Sequence, residues 1–261
     1  MNRLGPLAQI LILAVLLAAC GATPQSGAAS AEADVAATAQ SIIPRVTAEP
    51  TGPIERPESD AVLDSIVRVV GAGCRLPAIG TGFAVGSDLI ITNAHIVAGR
   101  DSETLGVENL AGDEFGAVLI GFDVDRDLAL LFVEDGSFAP LNLVTEVPLV
   151  DGVAIGLRTI DQDNIVNEIE FTVDAPVHVN WDGVYRDTES RFSGLRMLGD
   201  IRQGDSGSPL LINDRDVIGL VQSTTRNQPQ GYAVGSADIS EFVDGIGPGE
   251  DAQEIITDRC A

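Results

Sequence analysis

From Ala61 onward the chain is written in short apolar runs broken by Gly, Pro, Asn and Asp. Val62 to Val70 alternates and is β-branched. After it come Gly82 to Val85, Leu89 to Thr92, Ala117 to Gly121, Leu128 to Val133, Val153 to Leu157, Glu168 to Val179, Pro209 to Ile212, Val217 to Ser223 and Tyr232 to Val234. These are strand-length pieces at roughly the 8–12-residue spacing of an all-β sandwich or barrel. Two stretches read as helical, a turn at Ala94 to Ala98 and a short segment at Ser236 to Asp244. The domain carries no internal repeat and no low-complexity tract.

The pattern before Ala61 is different. Arg3 is followed by an apolar run, Ile10 to Ala19, that is too short to span a bilayer, which takes about 20 residues. Such a run reads as the apolar region of a signal peptide over residues 1–19. It ends in Leu17-Ala18-Ala19-Cys20, which resembles the lipobox of bacterial lipoproteins, in which the cysteine is lipidated and becomes the mature N-terminus. An ordinary cleavable signal with a chance cysteine is the alternative. Residues 20–60 are rich in Ala, Ser, Thr, Pro and Glu with almost no bulky apolar residues. That composition cannot offset the cost of ordering, so the segment reads as a flexible stalk. The stalk would hold a domain at residues 61–261 away from the membrane. No other segment is apolar and long enough to cross a bilayer.

Composition narrows the partners. Apolar residues make up 45% of the chain and aromatic residues 4%, so the core is built from Val, Ile, Leu and Ala. Formal net charge is −24, and every basic residue is Arg. Nucleic acid is excluded as a partner because phosphate binding needs basic patches. With Cys20 assigned to the lipid, Cys74 and Cys260 remain. In an exported chain two leftover thiols are a candidate disulfide, free thiols or pairing with another protein being the alternatives. Two His and two Cys scattered singly show no metal-ligand spacing, and no cofactor is implied.

Three segments carry chemistry: Thr92-Asn93-Ala94-His95, Asp127-Leu128-Ala129-Leu130-Leu131, and Gln203-Gly204-Asp205-Ser206-Gly207-Ser208-Pro209-Leu210. A serine hydroxyl is a poor nucleophile at neutral pH and needs an adjacent base, which itself needs a third group to fix its tautomer. His95, Asp127 and Ser206 supply these in the order His, Asp, Ser of the chymotrypsin template. Asp123 and Asp125 rival Asp127, which is preferred because it directly precedes an apolar strand. The backbone N–H of Gly204, with that of Ser206, is placed to meet a developing oxyanion. Asp205 reads as a support for its loop, and His178 as structural or exposed.

Together these segments resemble the trypsin-like, chymotrypsin-fold serine peptidases, especially their exported bacterial branch. Gly80-Thr81-Gly82-Phe83 before the histidine motif and Val217-Ile218-Gly219-Leu220-Val221 after the serine motif strengthen the likeness, which covers about Ser65 to Ile239. It implies two six-stranded antiparallel β-barrels with the active site in the cleft between them, and a monomer that hydrolyses protein or peptide substrates. A catalytically silent, binding-only relative is the alternative. A narrower likeness is to the actinobacterial membrane-linked acid-resistance proteases. Its basis is Cys74 before Gly80, the run Thr92 to Gly99, Val184-Tyr185-Arg186 and Asp258-Arg259-Cys260. That family carries several transmembrane helices; here a lipid anchor would replace them. The resemblance also marks Asp200, six residues before Ser206, and Ser223 as candidate substrate-pocket residues. An acid on the pocket floor would select Arg or Lys, whereas an Asp200 facing water would have no such role.

Overall fold

The computed structural model describes residues 38–40, 62–74, 80–146, 151–160, 163–187, 189–202, 204–224, 229–247 and 253–261. The signal segment, Cys20, most of the linker and Gln203 lie outside the described residues. A short strand, β1 (Thr38–Gln40), precedes the domain. The first sheet comprises β2 (Ile66–Val70), β3 (Gly80–Ala84), β4 (Leu89–Thr92), β5 (Gly106–Glu108), β6 (Glu114–Gly116), β7 (Val118–Asp123) and β8 (Leu128–Phe132). Its order is β6-β5-β2-β3-β4-β8-β7. Ala117 alone separates β6 from β7, and its N–H donates to Leu105 O at 3.0 Å. The two segments are therefore one interrupted strand, which pairs with β5 through its first part and with β8 through its second. Closed in this way, the sheet is a six-stranded barrel.

The second sheet comprises β9 (Asn142–Leu143), β10 (Asp151–Ile160), β11 (Asp163–Trp181), β12 (Ser190–Leu198), β13 (Pro209–Leu211), β14 (Asp216–Thr224) and β15 (Gln230–Gly235), with β1 added at one edge. A β11–β12 pairing closes β10 to β15 into a second antiparallel six-stranded ring. The 19-residue β11 serves two neighbours: residues 163–172 pair with β10 and residues 172–181 with β12, with a register shift between Val173 and Ala175. β9 lies parallel to β14. Two helices are described, α1 (Ala94–Val97) and α2 (Ser236–Ile246).

The predicted pair of barrels is thus present. Alternation along β8 shows how they join. Ala129 and Leu131 enter a buried cluster made by the first sheet, whereas Leu128 and Leu130 enter a cluster shared with Val153, Ile155, Leu211 and Val234 of the second. A strand buried on both faces reads as a continuous apolar run, which is what residues 128–132 are. Within the domain four strands escaped the sequence reading: β5, β6, β9 and β12. The last alternates buried and exposed positions over much of its length, but Arg and Ser on its outer face and Gly194 within it masked the period. β1 also falls inside the expected stalk, where it pairs with residues 178–180 of β11. Strand addition needs only backbone N–H and C=O groups, so a segment poor in apolar residues can still form it.

Candidate active site

The first barrel contributes His95 and Asp127. β4 ends at Thr92, Asn93 is extended, and α1 begins at Ala94, so His95 projects from the first turn after a strand buried from Ile90 to Thr92. Asp127 sits at the end of the β7–β8 turn with φ 58, in the left-handed region, and is fully buried. A buried carboxylate must be hydrogen-bonded on all sides. Its Oδ1 accepts the His95 backbone N–H at 2.9 Å, and its Oδ2 lies 2.7 Å from His95 Nδ1. Gln222 Nε2 donates to the same Oδ2 at 3.1 Å. The Asp127 carbonyl accepts Ala94 N–H at 3.1 Å and Asn93 Nδ2 at 3.0 Å. The carboxylate can only accept, so Nδ1 of His95 carries the proton and Nε2 is left as the base.

The charge balance at His95 follows. Burial depresses its pKa, but the Asp127 charge and hydrogen bond outweigh burial, while Arg100 and Arg186 push back. The result is a pKa raised above the ordinary 6.5. The imidazole remains 31% exposed, which leaves it reachable from solvent.

The second barrel brings Ser206 on the turn that leads into β13. Ser206 O accepts Thr81 N–H at 2.9 Å, and Gly207 N–H donates to Val221 O at 2.8 Å, so both barrels hold the turn. Gly207 has φ +86, and a Cβ there would lie 1.8 Å from Thr81 O; no other residue fits. Asp205 is fully buried, with Oδ2 accepting Arg202 N–H at 2.8 Å and its carbonyl accepting Ser208 N–H at 3.0 Å. It braces the loop. Gly204 has φ 99, and among the described residues neither its N–H nor that of Ser206 has an acceptor.

Among the described residues the Ser206 hydroxyl has one partner, the Gln222 carbonyl at 3.4 Å; no bond joins it to His95. A contact that long is weak, and rotation about one side-chain bond redirects the hydroxyl. Gln222 therefore touches both halves of the site, its amide on Asp127 and its carbonyl at Ser206. Sequence reading gave this residue no role at Asp127 or Ser206. The signal was a long amide directly after the apolar run Val217 to Val221; in the structure Gln222 is only 5% exposed.

Asp200 and Ser223 part company. Asp200 is 74% exposed and pairs with Arg202. The structure leaves it facing solvent. The reason is alternation: Ile201 turns inward, 7% exposed, against Gly231 and leaves Asp200 facing out. Ser223 stays beside the site, following Gln222 and paired with Tyr232. The expected bond Cys74–Cys260 is formed, with Cα atoms 5.9 Å apart across 186 residues. It fastens a tail whose Ile255 N–H donates to Leu119 O at 2.7 Å and whose Thr257 Oγ1 accepts Gly99 N–H at 2.9 Å.

The family profile described as "Trypsin-like peptidase domain" matches residues 80–220, more than half of the chain and inclusive of His95, Asp127 and Ser206. The chain belongs to the trypsin-like peptidases. It is 25% identical over 224 residues to Serine protease Rv3671c of Mycobacterium tuberculosis, a region covering 84% of this chain and 54% of that protein. It is 34% identical over 145 residues to a probable periplasmic serine endoprotease DegP-like of Hahella chejuensis, covering 54% of this chain and 29% of that one. This trypsin-like chain thus spans about half or less of the length of these relatives. The crystal structure of the Rv3671c protease, active form, superposes with a TM-score of 0.68 at 22% identity, covering 84% of this chain and 99% of that one. That likeness supports the two-barrel chymotrypsin-like fold.

Proposed function

We propose that the chain is a serine endopeptidase that hydrolyses peptide bonds of extracytoplasmic proteins through His95, Asp127 and Ser206. The observation that carries the reading is the buried Asp127 carboxylate 2.7 Å from His95 Nδ1, in a chain whose Ser206 turn is bonded to both barrels. In the reaction Ser206 Oγ attacks the substrate carbonyl carbon as His95 Nε2 takes the hydroxyl proton. The carbonyl oxygen becomes an oxyanion that receives the N–H groups of Gly204 and Ser206, usually a large contribution to rate. Collapse breaks the C–N bond, His95 gives its proton to the leaving amine, and an acyl-enzyme remains. Water then repeats the sequence, with His95 first as base and then as acid, and frees Ser206. Asp127 stays ionised and holds the imidazole.

The same proposal places residues 1–19 as a lipoprotein signal, Cys20 as the lipidated N-terminus, residues 20–60 as a linker and residues 61–261 as the protease domain, acting as a monomer. Among the described residues no helix is long and apolar enough to cross a membrane. Several acyl chains on Cys20 would hold the domain where one is marginal. Hydrolysis of a peptide library by the wild-type domain, abolished in Ser206→Ala with the fold intact, tests the enzyme. Undiminished hydrolysis by Ser206→Ala would refute it, and a wild-type domain that binds but never cleaves peptides would return the binding-module reading.

A further inference from the structure

The turn that delivers Asp127 is gripped from the other barrel. Asp125, two residues earlier, makes two contacts with it. Its carbonyl accepts Trp181 Nε1–H at 3.0 Å, and its carboxylate Oδ1 accepts Ser190 Oγ–H at 3.0 Å. Trp181 and Ser190 are not independent. They face each other as a register pair at the end of the β11–β12 ladder, and they are 9% and 3% exposed. One rung of the second barrel therefore holds both the carbonyl and the carboxylate of one residue of the first.

The turn is otherwise stiffened from within. Asp123 Oδ1 accepts the N–H groups of Asp125 and Arg126, each at 2.9 Å, and Asp123 Oδ2 takes Arg126 Nε at 2.7 Å. Arg126 extends the grip to α2, where Nη1 reaches Asp238 O at 3.4 Å and Glu241 Oε1 at 3.6 Å, and its guanidinium lies 5.9 Å from the Phe242 ring centre. The next residue is Asp127 in the left-handed conformation, which Asp adopts more readily than most residues with a Cβ because its short polar side chain can hydrogen-bond locally.

We infer that Trp181 and Ser190 are positioning residues for catalysis: the second barrel, which carries Ser206, sets where the first barrel's Asp127 presents its carboxylate to His95. The inference rests on the proposed triad. Its physical content is registration. Ser206 and the Asp127–His95 pair come from different barrels, and small misplacements between such groups cost rate steeply. A grip from the nucleophile's barrel on the turn two residues before Asp127 ties the two halves together. It acts on the backbone two residues before the left-handed Asp127.

Trp181→Phe keeps the ring and removes the donor; Ser190→Ala is a second, smaller lesion in case the first disturbs folding. Two readouts are taken at 25 °C on folded protein. One is the rate at which a fluorophosphonate labels Ser206, as a function of pH. The other is the titration of the His95 ring by NMR, which needs no turnover. In each variant labelling at pH 7.5 should slow about tenfold, as follows from a fraction of an ångström of misplacement. The His95 midpoint should move down, since Asp127 raises it. A purely structural role would lower the melting temperature and leave both unchanged, and that result overturns the inference. If the wild-type domain does not label at all, the triad reading fails instead, and the His95 titration of the variants still decides whether the rung positions Asp127.

Discussion

Gln222 gives the sharpest mutational test of how the site is built. Gln222→Met keeps the length and most of the volume of the side chain and removes the amide that donates to Asp127 Oδ2 at 3.1 Å. A hydrogen bond to a charged group contributes about 1.5–3 kcal/mol. Gln222 Oε1 is buried without a partner among the described residues, so the substitution also removes one unsatisfied acceptor and recovers part of that loss. A net destabilisation of about 1–2 kcal/mol follows. For a domain of this size, that lowers the melting temperature by about 2–8 °C. The kinetic consequence has a definite sign. With Gln222 gone, His95 no longer shares Oδ2, the carboxylate becomes a stronger acceptor, and the imidazolium is favoured. The midpoint of the rising limb of activity against pH should shift upward while activity at high pH is largely retained. Differential scanning calorimetry and a pH–rate profile on one peptide read both effects. A downward shift, or a loss of stability with no shift, would show that Gln222 Nε2 does not compete for Asp127.

Other expectations follow from the same geometry. Activity needs neutral His95, and its raised pKa places the half-maximal point above pH 6.5 with activity lost as pH falls; removing the charge in Arg186→Gln should move that point higher, read in the same profile. Gly207→Ala cannot be accommodated beside Thr81 O, so the Ser206 turn must move; kcat should drop by at least a hundredfold, and near-normal activity would contradict the turn as described. Reducing Cys74–Cys260 should cost about 2–5 kcal/mol, the upper figure coming from the chain entropy of a long closed loop, and a melting temperature indifferent to reductant would oppose this.

Much of this architecture was legible in the residues, for physical reasons that differ from place to place. Leu128 to Phe132 declared itself because a strand buried on both faces is apolar throughout. His95, Asp127 and Ser206 stood out because each lies at the edge of such a run. Ser190 to Leu198 did not, because Arg191 and Arg196 occupy outward positions and Gly194 interrupts the buried face. Asp200 illustrates a limit of counting from a motif. Six residues before Ser206 fixes a position along the chain but not the side on which the side chain emerges, and Ile201 took the inside. Trp181 and Ser190 were invisible because their pairing is a property of register, and in the sequence their partner Asp125 stands out only as a rival to Asp127. The β1 segment was hidden for a related reason, since backbone pairing leaves no composition signal.

Ser206 as a nucleophile activated by His95 and Asp127 underlies every kinetic expectation above. Its most direct measurement is covalent labelling of the folded domain by a fluorophosphonate, with the modified residue located by mass spectrometry. A single adduct on Ser206 is expected, formed faster as pH rises through the His95 titration and abolished by His95→Ala and by unfolding. Folded wild-type protein that forms no adduct, or an adduct on Ser206 that forms equally fast without His95, would contradict it.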